Sequence, residues 1–476
     1  MLNNLFTKNF KLTFILILVA EVLSFIAHQT ELINQVLFIL IGLGVLALSF
    51  YRLEYAFYIL LTELFIGSKG YLFFINLADE RISIRIAIFT AIFLGWFIQA
   101  AFKKHRQFFT SRHLPYYLAF SIFLIIGTTS GFLNSDFKNV FFDLNGWLYF
   151  LLAPIFYSVL KDKKVIENSL SILLSSASYL SIKTLLLLLA FSHQWTFLNL
   201  ERVYKWVRDS GVGEITLVSD SFYRIFFQAH VYVLTAFFLA LAFIVLKASY
   251  HKVSLNLVVI LTSTTILASL SRSFWLGLGA GLLLMAILLM AKFKFSLKKV
   301  LKLGFVIIVM FILEAGFLYL ITGSFNQQAI THRLGSPTEE AAASSRLRQL
   351  GPLFSAIKDR PLLGSGFGRQ VSYISDDPRV RQQSPEGWYT TTAFEWGYLD
   401  IWLKVGLLGL LAYLCLIFII LKDSLKDGLY GLGIIAALTA VLITNIFSPY
   451  LNHPLGIGLV IWFGSISAYL YAFRTL

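Results

Sequence analysis

Three short segments of this 476-residue chain set groups that hold anions or move protons beside long apolar runs. The first is Leu270-Ser271-Arg272-Ser273-Phe274-Trp275. An arginine between two apolar runs is costly in hydrocarbon unless it reaches the interface or meets a partner. Arg272 therefore reads either as a snorkelling interfacial side chain or as an anion ligand. The second runs from Ser345 to Gly368, where Leu350, Leu353, Phe354 and Ile357 recur at helical spacing. That pattern predicts a short amphipathic helix along the membrane surface, ended by Pro361 and the glycines after it. On a helix Arg346 and Arg348 point about 200° apart, so at most one of them faces a given site. The third runs from Thr390 to Gly409, where the chain returns to apolar sequence. Asp400 and Lys404 have the i, i+4 spacing of a structural pair. Glu395 has no partner four residues on, and reads either as a solvated loop glutamate or as a base whose pKa is raised by burial near the bilayer surface.

The elements that must position these residues follow from composition. Hydrophobic residues make up 58% of the chain and charged residues 13%, against about 25% charged in a soluble domain. The apolar residues fall in blocks of about 20, the length of a helix that crosses about 30 Å of hydrocarbon. Backbone groups in hydrocarbon must pair internally, and the blocks lack the alternation of barrel strands, so the expected class is an all-α, polytopic transmembrane helical bundle. About fourteen spans are expected, near 10–27, 32–50, 54–68, 84–102, 114–133, 141–160, 168–191, 223–246, 253–271, 273–291, 300–322, 398–421, 428–447 and 455–473. The first block follows Lys8 and Lys11 but lacks a good cleavage site, and reads as a retained helix. The chain divides into N-terminal helices (1–222), central helices with the Ser-Arg pair (223–322), a large extracytoplasmic loop with short surface helices (323–397) and C-terminal helices (398–476).

Basic residues in short connections stay in the cytoplasm. Every second connection is basic, at Lys103-Lys104-His105-Arg106, Lys161–Lys164, Lys247–Lys252, Lys292–Lys302 and Lys422–Lys426. Both termini are then cytoplasmic, and the long connections 69–83, 192–222 and 323–397 lie outside. The inner side is rich in lysine, with only Arg52, Arg106, Arg112 and Arg474. Arg81, Arg85, Arg202, Arg208, Arg224, Arg272, Arg333 and the arginines from 346 to 381 fall outward. Topology alone does not sort arginine from lysine, whereas phosphate recognition does, because the guanidinium fork binds it through two hydrogen bonds. Lipid headgroup contact is the plainer account of the same bias. The net charge of +14 is divided between these two features and implies no nucleic acid. No nucleotide-binding glycine loop or zinc-ligand spacing occurs. The single cysteine, Cys415, excludes an intrachain disulfide and reads as a small buried apolar residue.

Taken in order, the three segments resemble the O-antigen ligase and polymerase family, over roughly residues 220–420. Ser271-Arg272 stand between two spans. Arg346 is followed fifteen residues later by Pro361 and then by the turn Gly364-x-Gly366. Gly406-Leu407-Leu408-Gly409 stand eleven residues after Glu395-Trp396, the position where the family has His-Asn. Leu350 departs from a common Trp, and Glu395 departs from a His that the resemblance implies to act on the acceptor. Arg224 is similar to another arginine frequent in the family.

The resemblance implies a glycosyltransferase of the bacterial cytoplasmic (inner) membrane, acting outside the cytoplasm. It would move a polyprenyl-diphosphate-linked oligo- or polysaccharide to a hydroxyl of a lipid, glycan or protein acceptor, as a ligase or, alternatively, as a polymerase. Arg272 and Arg346, with Arg224 and Arg348, would hold the diphosphate, Glu395 would act as base, and no cofactor or metal would be needed. A reading of a different class, a secondary transporter or flippase, rests on the intramembrane charges Glu63, Lys183 and Glu314.

Overall fold

The computed structural model describes residues 5–77, 80–102, 107–219, 222–247, 251–323 and 341–475. Two basic connections used for topology, Lys103–Arg106 and part of Lys247–Lys252, lie outside them, as do Arg333 and the first part of the 323–397 loop, residues 324–340.

The protein is a mostly helical, multi-pass membrane protein. Among the described residues nine helices are long and apolar enough to cross a bilayer, or ten when Phe137–Asn145 and Trp147–Val159, bent by 45°, count as one span. The apolar blocks of the sequence predict about fourteen. Each apolar block does contain helix, but His230–Val245, Lys252–Ala268, Gly431–Thr444 and Leu53–Ile66 are short. A helix of 16 residues such as His230–Val245 reaches about 24 Å, less than the hydrocarbon thickness. The expected all-α class is corrected too, because three antiparallel β-hairpins occur: Phe74–Leu77 with Glu80–Ser83, Gly213–Ser219 with Phe222–Phe227, and Val371–Ile374 with Trp388–Thr391. The second hairpin takes up the start of the block expected to be a span from 223. Its strand Phe-Tyr-Arg-Ile-Phe-Phe is aromatic and β-branched, which suits a pleated surface; apolarity alone does not separate such a strand from a helix.

Helix ends follow local chemistry. The Asp162 carboxylate accepts a hydrogen bond from the Val165 N–H at the start of Lys163–Ser192, and Gly323 closes Leu297–Thr322 at φ +67°, a left-handed cap that glycine enters freely. His230–Val245 is apolar on every face and is buried through Phe243, as expected for a helix at the centre of a bundle. It packs on Lys163–Ser192, Lys252–Ala268 and Gly431–Thr444. Gly277 and Gly281, four residues apart on Arg272–Ala291, let that helix close on Ala440 and Ala436, whose carbonyl oxygens a Cβ at either glycine would crowd. Small residues at such spacing are what allow helix backbones to approach in a membrane. Cys415, expected to be buried, lies on the outward face of its helix.

The Gly397–Ser424 helix is broken at Gly406, whose φ of 75° and ψ of 174° lie outside helical space. A break frees backbone donors and acceptors that hydrocarbon cannot satisfy. The turn after Pro361 satisfies them. The Leu407 N–H donates to the Pro361 carbonyl at 2.9 Å and Leu408 to Leu362 at 3.2 Å, while Ser365 donates to the Leu403 carbonyl at 2.7 Å and Gly366 to Lys404 at 3.2 Å. Gly364 and Gly366, at φ +79° and +91°, abut the backbones at Gly406 and Gly131. Gly406→Ala would place a Cβ over the Leu362 carbonyl and force strained φ/ψ that costs about 1–3 kcal/mol before the overlap is counted. Thermal unfolding in detergent is expected to fall by several degrees for Gly406→Ala and not for Gly279→Ala, which has nothing within 4 Å. Equal midpoints for Gly406→Ala and wild type would refute the docking.

Candidate functional site

The docked turn holds the Ala341–Asp359 helix against the start of Gly397–Ser424. Leu353, Ala356 and Ile357 of this helix pack with Val371, Phe394 and Leu403 in a small core of their own. This is the amphipathic helix expected from the leucine spacing; it is longer than that pattern covers and carries Pro352 within it. Its polar edge fixes the loop exit. Gln349 Oε1 accepts the Glu395 N–H at 3.3 Å, and the Trp396 indole donates to the Arg346 carbonyl at 2.8 Å.

With the backbone held at both residues, the Arg346 guanidinium and Glu395 carboxylate form an ion pair, with side chains 35% and 45% exposed. The Glu395 side chain as a whole is about half exposed, while its Oε2, turned onto the Arg346 Nε, is shielded from solvent. Arg348 turns away, as the helical spacing predicted, and pairs with Asp376 at 3.2 Å, where Arg381 joins at 2.6 Å. The Ser344 hydroxyl, then Arg381 and Arg348, hold the Asp376 carboxyl below the usual aspartate range.

Arg272 opens the Arg272–Ala291 helix after a tight connection in which Leu270 has φ 47°. This turn reaches the Arg346–Glu395 pair through the connection after Gly431–Thr444. Ser273 shares a 2.9 Å hydrogen bond with Ser448, and Thr444 donates to the Ser273 carbonyl at 3.2 Å. Phe447, next to Ser448, packs on Trp396 with ring centres 5.5 Å apart. Arg224 lies on the same side of the hairpin turn, donating to the Ser269 carbonyl at 2.9 Å and lying 4.7 Å from the Phe226 ring. The three segments singled out from sequence are therefore neighbours around residues 444–450, with Arg346 and Glu395 in direct contact.

Beside them lies a cavity of about 640 Å³ that the sequence did not reveal. Thr392, Ala393 and Phe394 bring its wall up to Glu395, and Asp400, Lys404, Asp143, Asn452, His453 and Arg85 supply polar groups. Lys404 bonds Asp400 at 2.7 Å, as its spacing predicted, and also pairs with Asp143, while Asn452 donates to Asp400. Asp143 in turn accepts the Gly368 N–H at 2.9 Å, tying the docked turn to this network. The only hint of Asp143 in the sequence is a carboxylate inside the block expected to span 141–160. Among the described residues no three His, Cys, Asp or Glu side chains gather as a metal site.

The charges behind the transporter reading each have a partner. Arg85 donates to Glu63 from Nε at 2.9 Å and from Nη2 at 2.9 Å, and to the Ser68 carbonyl at 2.6 Å. Lys183 pairs with Glu21 and lies 4.5 Å from the Trp206 ring, and Glu314 accepts from Ser263.

Residues 257–414 match the O-antigen ligase family, a family of glycosyltransferase-type enzymes, within the stretch where the motifs suggested it. The match takes in Arg272, Arg346, Glu395 and the Gly406 break. No curated protein matches the chain.

Arg85 and Glu63 are both almost wholly buried, so removing one charge strands the other at a cost of about 3–5 kcal/mol. Glu63→Gln is expected to lower the thermal midpoint strongly and Glu63→Met with Arg85→Met to recover part of the loss. A Glu63→Gln protein as stable as wild type would show that the pair does not hold this wall.

Proposed function

We propose that this protein transfers a polyprenyl-diphosphate-linked oligo- or polysaccharide to an acceptor hydroxyl at the outer face of the bacterial cytoplasmic membrane, in the manner of an O-antigen ligase. The observation that carries the reading is the Arg346–Glu395 pair, held by the docked turn beside the Ser271-Arg272 turn, within the stretch that matches the family.

In this reading Arg272 and Arg346 bind the donor's diphosphate, with Arg224 holding the Arg272 turn from the Ser269 carbonyl. Diphosphate competes for the Arg346 guanidinium and frees the Glu395 carboxylate. Glu395 takes the proton from the acceptor hydroxyl as its oxygen attacks the anomeric carbon. The bond from that carbon to the phosphate oxygen breaks with inversion, and the electron pair leaves on the diphosphate. The arginines stabilise this developing charge, staying protonated throughout. Arg348, engaged with Asp376, takes no direct part.

Loss of a donor that acts on the transition-state charge costs about 100- to 1000-fold. Arg272→Ala and Arg346→Ala are expected to fall in that range in a transfer assay with purified protein, and Arg348→Ala to stay within a few-fold of wild type. Glu395→Gln loses the base, worth about 100- to 10,000-fold, together with the decline of wild-type rate on acidification. Wild-type-like turnover by Arg272→Ala or by Glu395→Gln would remove that residue from the mechanism.

The reading also needs the site outside and both termini in the cytoplasm, as the lysine-rich connections favour. In a Cys415→Ser background, Thr392→Cys should react with a membrane-impermeant maleimide in intact spheroplasts, and Ser296→Cys only after permeabilisation. The reverse pattern would exclude an extracytoplasmic site.

A further inference from the structure

The cavity beside Glu395 has a chemistry different from that of the arginine set. Its two buried cations are already matched. Arg85 is held by Glu63, and Lys404 by Asp143 and Asp400. Lys69 is exposed at its edge. A diphosphate entering it would find its carboxylates as well as its cations, so an uncharged, hydrogen-bonding ligand fits better. Two polar groups in its wall are unmatched: among the described residues the Tyr149 hydroxyl and the Gln228 amide oxygen are buried without a hydrogen-bond partner. Tyr149 is only 3% exposed. Buried polar atoms in a folded protein are normally satisfied, so these two await a partner from a ligand or from water. The phenol can donate or accept and the amide oxygen accepts, roles that a hydroxyl group complements.

The rest of the wall is aromatic. Phe89, Phe141 and Phe142 line it, and Phe141 and Phe142 are about half exposed. The electron-rich face of such a ring attracts polarised C–H groups, which the faces of a sugar ring present. His453 is half-buried in the cavity wall, and desolvation of its ring, with Arg85 and Lys69 nearby, pushes its pKa down to about 3. It is therefore neutral in use. Its Nδ1 accepts from the Leu455 N–H at 3.4 Å, which leaves the proton on Nε2, a neutral donor. The volume lies within the roughly 300–1,000 Å³ of small-molecule sites, which combine apolar walls with a few placed polar groups.

We infer that this cavity is a saccharide site, in which the phenylalanine faces pack on a sugar ring while Tyr149, Gln228 and the Asp400–Lys404–Asn452 floor bond its hydroxyls. Its site role rests on the transfer reading above, since the Thr392–Phe394 wall leads to Glu395, where the two glycans must meet. It gives the N-terminal half, outside the family match, a task of its own: Arg85, Phe142, Asp143 and Tyr149 select the sugar, and the arginines of the matched half hold the diphosphate.

Two measurements test it. In the transfer assay, Tyr149→Phe and Phe142→Ala should each raise the acceptor KM about tenfold, the size of one lost hydrogen bond or ring contact, with the donor KM unchanged. Phe142 is exposed enough that its removal should not unfold the protein. A rise confined to the donor KM assigns the cavity to the donor's sugar, and no rise in either overturns the inference. The second measurement needs no turnover. Thr392→Cys in a Cys415→Ser background is labelled with a water-soluble maleimide, and lipid-free neutral oligosaccharide released from the host's envelope glycolipids should slow labelling severalfold. Polyprenyl diphosphate carrying no sugar should not. Protection by the sugar-free diphosphate, or by neither compound, overturns a saccharide site. Protection by sugar in a protein that transfers nothing would sink the transferase reading alone, whereas transfer with unchanged KM values and no protection would sink the saccharide site alone.

Discussion

The break in the helix at Gly406 is the constraint from which the candidate site follows. A non-helical residue within an apolar helix exposes backbone groups on both sides of it, and in hydrocarbon these must find partners inside the protein. The Pro361–Gly366 turn supplies carbonyls to Leu407 and Leu408 and amides to Leu403 and Lys404. The loop is thus not simply laid on the membrane helices; its backbone completes one of them. This explains why the two glycine marks, about forty residues apart in sequence, occur together: Gly364 and Gly366 allow the turn to approach, and Gly406 opens the helix to receive it. The same docking sets the helix that carries Arg346 and the short distance from Gln349 to the Glu395 backbone. Phe367, next in the chain, donates to the Gly127 carbonyl, so the turn also closes on the Leu114–Asn134 helix.

Around this junction the charges fall into two kinds. Arg85 with Glu63, and Lys404 with Asp143 and Asp400, are buried. Each would be expensive alone in a low dielectric, and partnership makes it tolerable without making it a strong source of stability. They fix the cavity wall and leave it electrically balanced. The arginines between residues 346 and 381 are different. Arg346, Arg348 and Arg381 are about one third to one half exposed, so water reaches these pairs far more than it reaches the buried ones.

How much of this was legible in the sequence depended on what each feature requires. Apolar blocks predicted helices, and every block contains one, because burial of backbone in lipid leaves few alternatives. Their lengths were not legible, because a helix shielded by protein need not match the bilayer, and residues such as Phe222–Phe227 serve a hairpin as well as a helix. The Arg346–Arg348 divergence was legible because helical geometry alone decides it. The Asp400–Lys404 pair was legible for the same reason, while its third member, Asp143, was not, since only the tertiary fold brings the 137–145 segment to the broken helix. Glu395 was legible at the loop exit but its partner was not: the sequence shows what re-enters the membrane near it, not that Arg346 reaches it from a helix about fifty residues earlier.

The Arg346–Glu395 contact also bears on the glutamate at a position where the motif pattern has histidine. A neutral imidazole there would deprive Arg346 of the carboxylate that it faces. A carboxylate neutralises Arg346 in the resting protein. A partly exposed pair contributes on the order of 0–1 kcal/mol, so in the proposed reaction a diphosphate, with more charge and more acceptor oxygens, displaces it. The buried Arg85–Glu63 pair could not be exchanged in this way, because the abandoned carboxylate would remain in a low dielectric. In the proposed reaction the weakness of the contact is therefore what makes it useful: the carboxylate is released to the acceptor hydroxyl only when the donor's diphosphate has taken its place on the arginine. Base and leaving-group site are then prepared by one event, without any movement of the docked turn that positions them both.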